Sequence, residues 1–126
     1  MTYVRLLVCG GRDYADRDTL FGTLDTFVCQ GHHIKVLIEG EAPGADTLAR
    51  QWAEDHTPPI KVDPYPADWS AYGKAAGPIR NQEMLTEGKP TYAFAFYDRP
   101  RHLSKGTADM VRRLKKAGIP VQEVGP

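Results

Sequence analysis

Short apolar runs alternate regularly with longer segments of helical spacing, and this alternation constrains the fold more than any other feature. The runs predict strands at residues 3–9, 34–38, 60–65, 92–96 and 120–124. The segments between them predict helices at about residues 16–30, 45–56, 78–87 and 107–117. Because strands that alternate with helices form βαβ units, we expect an α/β fold: a Rossmann-like three-layer αβα sandwich with a mostly parallel five-stranded sheet. The expected strand order is 3-2-1-4-5.

Glycine and proline mark where the predicted helices begin and end. Gly31 suits the end of the first helix, and Pro58-Pro59 prevents the second from continuing. Pro78 suits the first position of the third helix. Residues 66–77 and 97–105 carry no clear periodicity and are predicted to be long loops.

Length, charge and cysteine usage limit the class of protein. A chain of 126 residues suits a single domain over residues 1–126. Its sixteen basic and sixteen acidic residues cancel, which argues against nucleic acid as a partner because backbone binding needs a basic face. Cys9 and Cys29 lie in apolar patterns, which predict buried reduced thiols, and we expect neither a metal nor a cofactor. Without an apolar run of about 18 residues or a signal peptide, the expectation is a cytoplasmic protein with no membrane association.

The residues suited to chemistry are concentrated in the loops that lead from strands into helices. In a parallel sheet these loops all emerge at one edge, where ligands bind at the switch point of the strand order. They carry residues 10–14, 39–46, 68–80 and 105–109, whereas the return loops at residues 31–33 and 118–119 are short and plain. The asymmetry predicts a ligand site at that edge.

The first of these loops has the composition of an anion site. Gly10 and Gly11 let backbone amides approach an anion, and Arg12 is suited to clamp a phosphate or carboxylate in two hydrogen bonds. The alternative is a tight turn in which Arg12 and Asp13 form a surface ion pair. Neither the dinucleotide fingerprint nor a Walker A sequence is present in the chain.

The second loop carries carboxylates between two glycines, Gly40 and Gly44. Asp46, next to Ala45, either caps the second helix or, like Glu39, accepts hydrogen bonds from ribose hydroxyls. Carboxylates repel a phosphate, so these two suit the sugar end of a ligand better.

The third region combines a cation with an aromatic side chain. Arg80 and Asn81 fall in the first turn of the third helix, where a guanidinium and the helix dipole act together on an anion. Trp69, in the preceding loop, is suited to stack on a base. The alternative for Arg80 is an ordinary solvated helix residue.

The fourth loop opens the last long helix. Gly106 and Thr107 are suited to hold a phosphate through backbone amides and a hydroxyl, although Thr107 also suits a simple N-cap. Lys105 adds positive charge. Asp109 is placed to act as a base or a sugar ligand, or simply to complement the helix dipole.

Together these motifs resemble one known family. They are Gly10-Gly11-Arg12-Asp13-Tyr14, Gly44-Ala45-Asp46 with the following Leu48-Ala49 and Trp52-Ala53, Pro66-Ala67-Asp68-Trp69, Gly77-Pro78-Ile79-Arg80-Asn81 and Gly106-Thr107-Ala108-Asp109-Met110. In this order they resemble the YspA-like, YpsA-related branch of the SLOG superfamily. The resemblance implies a Rossmann-like fold that binds nucleotides or nucleotide-derived ligands.

The superfamily also includes the Lonely Guy phosphoribohydrolases, which cleave the N-glycosidic bond of nucleoside monophosphates. Arg80 is similar to their helix arginine, and Gly106-Thr107 is similar to the end of their glycine-rich loop. Leu103-Ser104-Lys105 replaces the upstream glycines, and Met110 stands where their final glutamate belongs. The resemblance therefore implies nucleotide binding more strongly than hydrolysis.

Three functions follow as hypotheses. The first is a sensor or sequestering domain for a nucleotide-like small molecule. The second is a phosphoribohydrolase, with Arg80 on the phosphate and Asp109, or else Glu39, stabilising positive charge at the anomeric carbon or activating water. The third is a DNA-processing partner module, by analogy with the distant relative DprA, against which the neutral charge counts. By similarity to the superfamily, we expect a homodimer.

Overall fold

The computed structural model describes residues 3–126 and contains a single five-stranded sheet within that range. Its strands are β1 (Tyr3–Gly10), β2 (His33–Glu39), β3 (Val62–Pro64), β4 (Tyr92–Phe96) and β5 (Val121–Val124). Its helices are α1 (Arg17–Cys29), α2 (Ala45–Asp55), α3 (Trp69–Tyr72), α4 (Ala76–Thr86) and α5 (Lys105–Lys116), with 3₁₀ turns at Gly73–Ala75 and Arg101–Leu103. Every strand pair is parallel and the order is β3-β2-β1-β4-β5, which confirms the predicted fold and strand order.

Alternation along the central strand separates two apolar layers. Leu6 and Val8 of β1 face the layer formed with α1 and α2, whereas Leu7 and Cys9 face the layer formed with α4 and α5. Because both faces are covered, the inner strands are apolar on both sides, as in β4, where residues 93–96 are all buried.

The strand order creates a crevice between β1 and β4. The chain passes from β1 through β2 to β3 in one direction and then crosses to β4 on the other side of β1. The loop after β1 therefore leads to one face of the sheet, and the loop after β4 leads to the other. Ligands of doubly wound sheets bind where two such loops diverge.

Two helices begin earlier than the sequence indicates. Helix α4 starts at Ala76, so Pro78 is its third residue rather than its first. Proline is tolerated there because the first four N–H groups of a helix have no intrahelical acceptor. Helix α5 starts at Lys105, which places Thr107 within the first turn, and Ser104 is the N-cap residue.

The two predicted long loops contain short helical segments. Residues 66–77 include α3 and a 3₁₀ turn, because the Asp68 side chain accepts a 3.1 Å hydrogen bond from the Ala71 N–H and caps α3. Residues 97–105 include the second 3₁₀ turn. Strand β3 is also shorter than predicted.

The two cysteines differ in exposure. Cys9 is buried as predicted, but the prediction for Cys29 is wrong because its side chain is exposed. Cys29 follows Phe27 by two residues, and that spacing turns it by about 200° around the helix axis, away from the stripe that faces the sheet. In the described part of the chain, no helix has both the length and the apolar character needed to cross a membrane.

Candidate ligand-binding site

A cavity of about 630 Å³ lies at the carboxyl edge of the sheet, beside the crevice between β1 and β4. Its walls come from the end of β1 and the following loop, the first turns of α4 and α5, and the loop after β4. Its volume falls within the range of about 300–1,000 Å³ that small-molecule sites occupy.

Most of the predicted site residues line this cavity. They are Gly10, Gly11, Arg12, Asp13, Asp46, Trp69, Arg80, Asn81, Lys105, Gly106, Thr107 and Asp109. Of the residues described by the structure, four predicted ones are not part of its wall: Glu39, Gly40, Gly44 and Ala45. The edge predicted from the strand-to-helix loops is thus the edge where the cavity lies.

The glycines of the first and second loops are needed for close packing of the backbone. A Cβ at Gly11 would collide with the Asp98 carboxylate, and one at Gly44 would collide with the carbonyl oxygen of Gly11. Gly44 also has a φ of +83°, a conformation that favours glycine. The amide of Gly11 donates to the Phe96 carbonyl oxygen (3.0 Å), and its carbonyl oxygen accepts from the Ala45 amide (3.2 Å). Gly11 therefore joins β1, β4 and the second loop, and its amide is not free for an anion.

Asp46 holds the second loop together from inside α2. Its Oδ2 accepts hydrogen bonds from the backbone N–H groups of Gly40 (3.1 Å) and Ala42 (3.2 Å). The predicted N-cap role is wrong because Gly44 occupies that position, one residue before the helix. Burial raises the pKa of Asp46 to about 6, despite these hydrogen bonds and the nearby charge of Arg80. Asp46 nevertheless lines the cavity.

Glu39 is fully buried at the end of β2. Its Oε1 accepts a 2.8 Å hydrogen bond from the Glu41 N–H, and its Oε2 has no partner within residues 3–126. Burial raises the pKa of Glu39 to about 7. Since Glu39 is not in the cavity wall, its geometry gives no support to the predicted contact with a sugar or anomeric carbon.

Arg80 connects α4 with the second loop and also faces the cavity. Its Nη1 donates a 2.6 Å hydrogen bond to the carbonyl oxygen of Gly40, and its Nε donates to Asn81 Oδ1 (3.1 Å). Burial lowers the pKa of Arg80, but an arginine remains charged at neutral pH. Its Nη2 donates no hydrogen bond to any residue from 3 to 126, which leaves it available to a ligand.

Asp109 is held by cations on its own helix and by an amide from α4. Its Oδ2 accepts hydrogen bonds from Arg113 Nε (2.8 Å) and Asn81 Nδ2 (3.0 Å), and its Oδ1 pairs with Arg112. Burial alone would raise its pKa, but these hydrogen bonds and charges hold the pKa of Asp109 below its usual range. A carboxylate stabilised in this way is a weak base, so its contacts favour a structural role over the predicted catalytic one.

The first turn of α5, which forms part of the cavity wall, contains unused hydrogen-bonding groups. The first backbone hydrogen bond of this helix runs from the Ala108 N–H to the Ser104 carbonyl oxygen (2.8 Å), so the N–H groups of residues 105–107 precede it. The Ser104 hydroxyl is buried and has no partner in the described part of the chain. Helix amides, a hydroxyl and the helix dipole together favour an anion.

The charges around the cavity leave a positive excess. Arg99 pairs with both Asp13 (2.7 Å) and Asp98 (3.0 Å), and Asp109 is paired on α5. Four cations of the wall form no salt bridge within the described range: Arg12, Lys74, Arg80 and Lys105. The alternative ion pair between Arg12 and Asp13 is therefore wrong: Asp13 pairs with Arg99, and Arg12 lies 5.6 Å from the centre of the Trp69 ring.

Several lining residues were not predicted as ligands. The most informative are Ser104 and the pair Asp98-Arg99. Asp98 and Arg99 lie in the loop just after the apolar strand β4. Position in a loop just after a strand is also the signal that identified residues 10–13, so it could have identified this pair. Met110, which replaces the glutamate of the phosphoribohydrolases, touches the cavity but is 1% exposed and packs in the apolar layer beneath it.

Comparisons with known proteins agree with the resemblance found in the motifs. The family model described as YAcAr, the YspA, cpYpsA-related SLOG family, matches residues 4–72, which is more than half of the chain. The Gene 61 protein of Mycobacterium phage D29 is 36% identical over 124 residues, which cover 96% of each of the two chains. No solved structure matches the chain. The predicted family is confirmed: the chain belongs to the YspA, cpYpsA-related SLOG family.

Proposed function

We propose that this protein binds a nucleotide or nucleotide-derived ligand, bearing phosphate and ribose, in the cavity at the carboxyl edge of the sheet, and that it acts as a sensor or sequestering domain. The observation that carries the proposal is the first turn of α5. There the buried Ser104 hydroxyl has no partner within residues 3–126, and it lies beside helix amides that precede the first intrahelical hydrogen bond. Leaving a buried hydroxyl unpaired costs about 1–3 kcal/mol, and a ligand oxygen that displaces the atoms covering this hydroxyl would recover that cost.

The phosphate of such a ligand would lie at this turn, with Lys105 and Thr107 around it. The Nη2 of Arg80 supplies a second charged donor from α4. Charge-assisted hydrogen bonds of this kind are roughly twice as strong as neutral ones. The uncompensated positive charge of the wall adds a general preference for anions.

The other end of the ligand would lie toward α3 and the second loop. Trp69 is 49% exposed and lines the cavity, so a flat base has an aromatic surface on which to stack. Asp46 is the carboxyl group best suited to accept a hydrogen bond from a ribose hydroxyl, because it lies in the cavity wall and forms no salt bridge with any residue from 3 to 126.

The binding experiment is a titration of the purified protein with the nucleoside 5′-monophosphates of adenine, guanine, cytosine and uracil, each against its unphosphorylated nucleoside. We expect saturable binding of at least one monophosphate and at least tenfold weaker binding of its nucleoside, because the phosphate supplies the charge-assisted contacts. Equal affinity for both would contradict the placement of a phosphate at α5.

Hydrolysis is a second candidate, and one observation favours it. Asp46 lines the cavity, and burial raises its pKa to about 6, close to the value that suits a general acid or base near neutral pH. Chromatography of the same mixtures for free base tests this. If base is released, Asp46→Asn should abolish release with the ligand still bound, because asparagine keeps an oxygen for the Gly40 and Ala42 amides. Tight binding without base release favours the sensor.

A further inference from the structure

A second cavity of about 340 Å³ adjoins the first on the side of the second loop. The two cavities share Arg12, Ala42, Trp69 and Arg80 in their walls. The far side of the second cavity is formed by residues 40–41, Arg50 and residues 66–67. We call this second cavity the outer lobe.

Two of the four shared residues, Arg12 and Trp69, are exposed, whereas Ala42 is buried and Arg80 is partly buried. Arg12 lies over the Trp69 ring at 5.6 Å from its centre. A cation–π contact at an exposed site is weak, so the two side chains are free to separate or to hold a flat group against Trp69. On this exposed side of the boundary, one ligand can therefore extend from the first cavity into the second.

The outer lobe has the charge of an anion site. Three arginines line it, Arg12, Arg50 and Arg80, against a single carboxylate, Glu41. The distance between Arg50 Nη1 and Glu41 Oε1 is 3.4 Å, and each side chain is about one-third exposed, so the pair is loose and screened. Arg50 can exchange this partner for a phosphate, which its planar guanidinium matches in geometry.

From this geometry we infer that the outer lobe receives a second phosphate-bearing unit, so that the ligand of this protein is an extended nucleotide rather than a nucleoside monophosphate. The inference rests on the proposed function, because it assumes that the first unit lies in the larger cavity. The order of cations from α5 through Arg80 to Arg50 matches a ligand with two phosphates and a second nucleoside. A 5′-phosphorylated, phosphodiester-linked dinucleotide carries its two phosphates on either side of one nucleoside, and a pyrophosphate-linked dinucleotide carries them next to each other.

The test compares ligands that share one base, taken from whichever mononucleotide binds best. The probes are the nucleoside 5′-monophosphate, the 5′-phosphorylated dinucleotide pNpN and the pyrophosphate-linked dinucleotide NppN. We expect at least one dinucleotide to bind tenfold or more tightly than the monophosphate. One additional hydrogen bond between a phosphate and an arginine is enough for a gain of about this size. Whichever dinucleotide shows the gain identifies the linkage.

Arg50→Gln tests whether the gain arises in the outer lobe. This variant should reduce the affinity ratio of dinucleotide to monophosphate to about one. Arg17→Gln is the matched control. Arg17 contacts Phe21 on α1, and its substitution removes the same charge at a position away from both cavities. Arg17→Gln should leave the ratio unchanged.

The outcomes separate this inference from the proposed function. If the monophosphate binds and neither dinucleotide binds more tightly, or if Arg50→Gln preserves the gain, the inference is overturned and the proposed function stands. If no mononucleotide or dinucleotide binds, both are overturned. A gain that Arg50→Gln removes and Arg17→Gln keeps supports the inference.

Discussion

Arg80 donates a 2.6 Å hydrogen bond from its guanidinium to the carbonyl oxygen of Gly40, and this contact joins α4 to the loop after β2. The same loop is held from its other side by Asp46, which accepts a hydrogen bond from the Gly40 amide. The peptide groups around Gly40 are thus fixed between a cation and a buried carboxyl group. The position of Arg80 in the cavity wall depends on this arrangement.

Arg80→Ala should weaken both the fold and ligand binding. The substitution leaves the carbonyl oxygen of Gly40 without its hydrogen-bond donor, and we expect the free energy of unfolding to fall by about 1–3 kcal/mol. Affinity for a phosphate ligand should fall roughly 10- to 100-fold, because a charge-assisted contact is lost. Urea unfolding and calorimetric titration measure the two effects. Arg17→Ala is the control, and unchanged affinity in Arg80→Ala would contradict the site.

Ser104→Ala should separate ligand binding from stability. The hydroxyl is buried without a partner in the described structure and makes no capping bond, so its removal should raise the free energy of unfolding of the unliganded protein by about 1–3 kcal/mol. Affinity for a phosphate ligand should fall about tenfold. A large loss of stability with unchanged affinity would show that the hydroxyl serves the fold instead.

Glu39→Gln should stabilise the protein, and the gain over the natural protein should be larger at alkaline pH than at acidic pH. The folded pKa of Glu39, about 7, lies above its ordinary value of 4.5, so the folded state binds more protons than the unfolded state between these values. Stability of the natural protein therefore falls as pH rises through this window and stays lower above it.

Glutamine resembles the protonated acid and does not ionise. We expect Glu39→Gln to raise the free energy of unfolding by on the order of 2 kcal/mol at pH 8 and to change it little at pH 4.5. Urea unfolding at the two pH values measures the difference. An equal effect of the substitution at both values would mean that Glu39 does not ionise within this range.

Asp109→Asn should destabilise the contact between α4 and α5 without removing a catalytic base. The carboxylate pairs with Arg113 and Arg112 and accepts from Asn81, and asparagine offers a single neutral oxygen. We expect a loss of about 1–2 kcal/mol in the free energy of unfolding. Any release of free base from a nucleotide should persist in this variant; its complete loss in a protein that still folds and binds would restore Asp109 as a catalytic residue.

The fold followed from the sequence because its signals are repeated along the whole chain. Strand-to-helix alternation is present in every βαβ unit, and the predicted strand order agrees with the structure. Element ends were less predictable. Ser104 as N-cap and the early start of α4 at Ala76 depend on how the chain enters each helix, which tertiary packing decides.

The edge of the sheet that carries the cavity was predictable, but the partners of individual side chains were not. The sequence places Asp13 beside Arg12 and Asp109 beside Gly106, yet the structure pairs Asp13 with Arg99 and Asp109 with two arginines of α5. The pair of Asp13 and Arg99 joins residues 86 positions apart, so no local pattern encodes it. The pairs of Asp109 with Arg112 and Arg113 are contacts between helix residues three and four positions apart, which the helical spacing could have indicated. The homodimer, the single domain over residues 1–126 and the cytoplasmic location stay predictions.

The central claim is that the first turn of α5 receives a phosphate, and calorimetric titration with a matched pair of ligands tests it most directly. The pair is the best-bound nucleoside 5′-monophosphate and its nucleoside, each measured on the natural protein and on Ser104→Ala. We predict that the natural protein prefers the monophosphate by tenfold or more and that Ser104→Ala loses most of this preference. A preference of the same size in both proteins would contradict the claim, as would an absence of any preference in the natural protein.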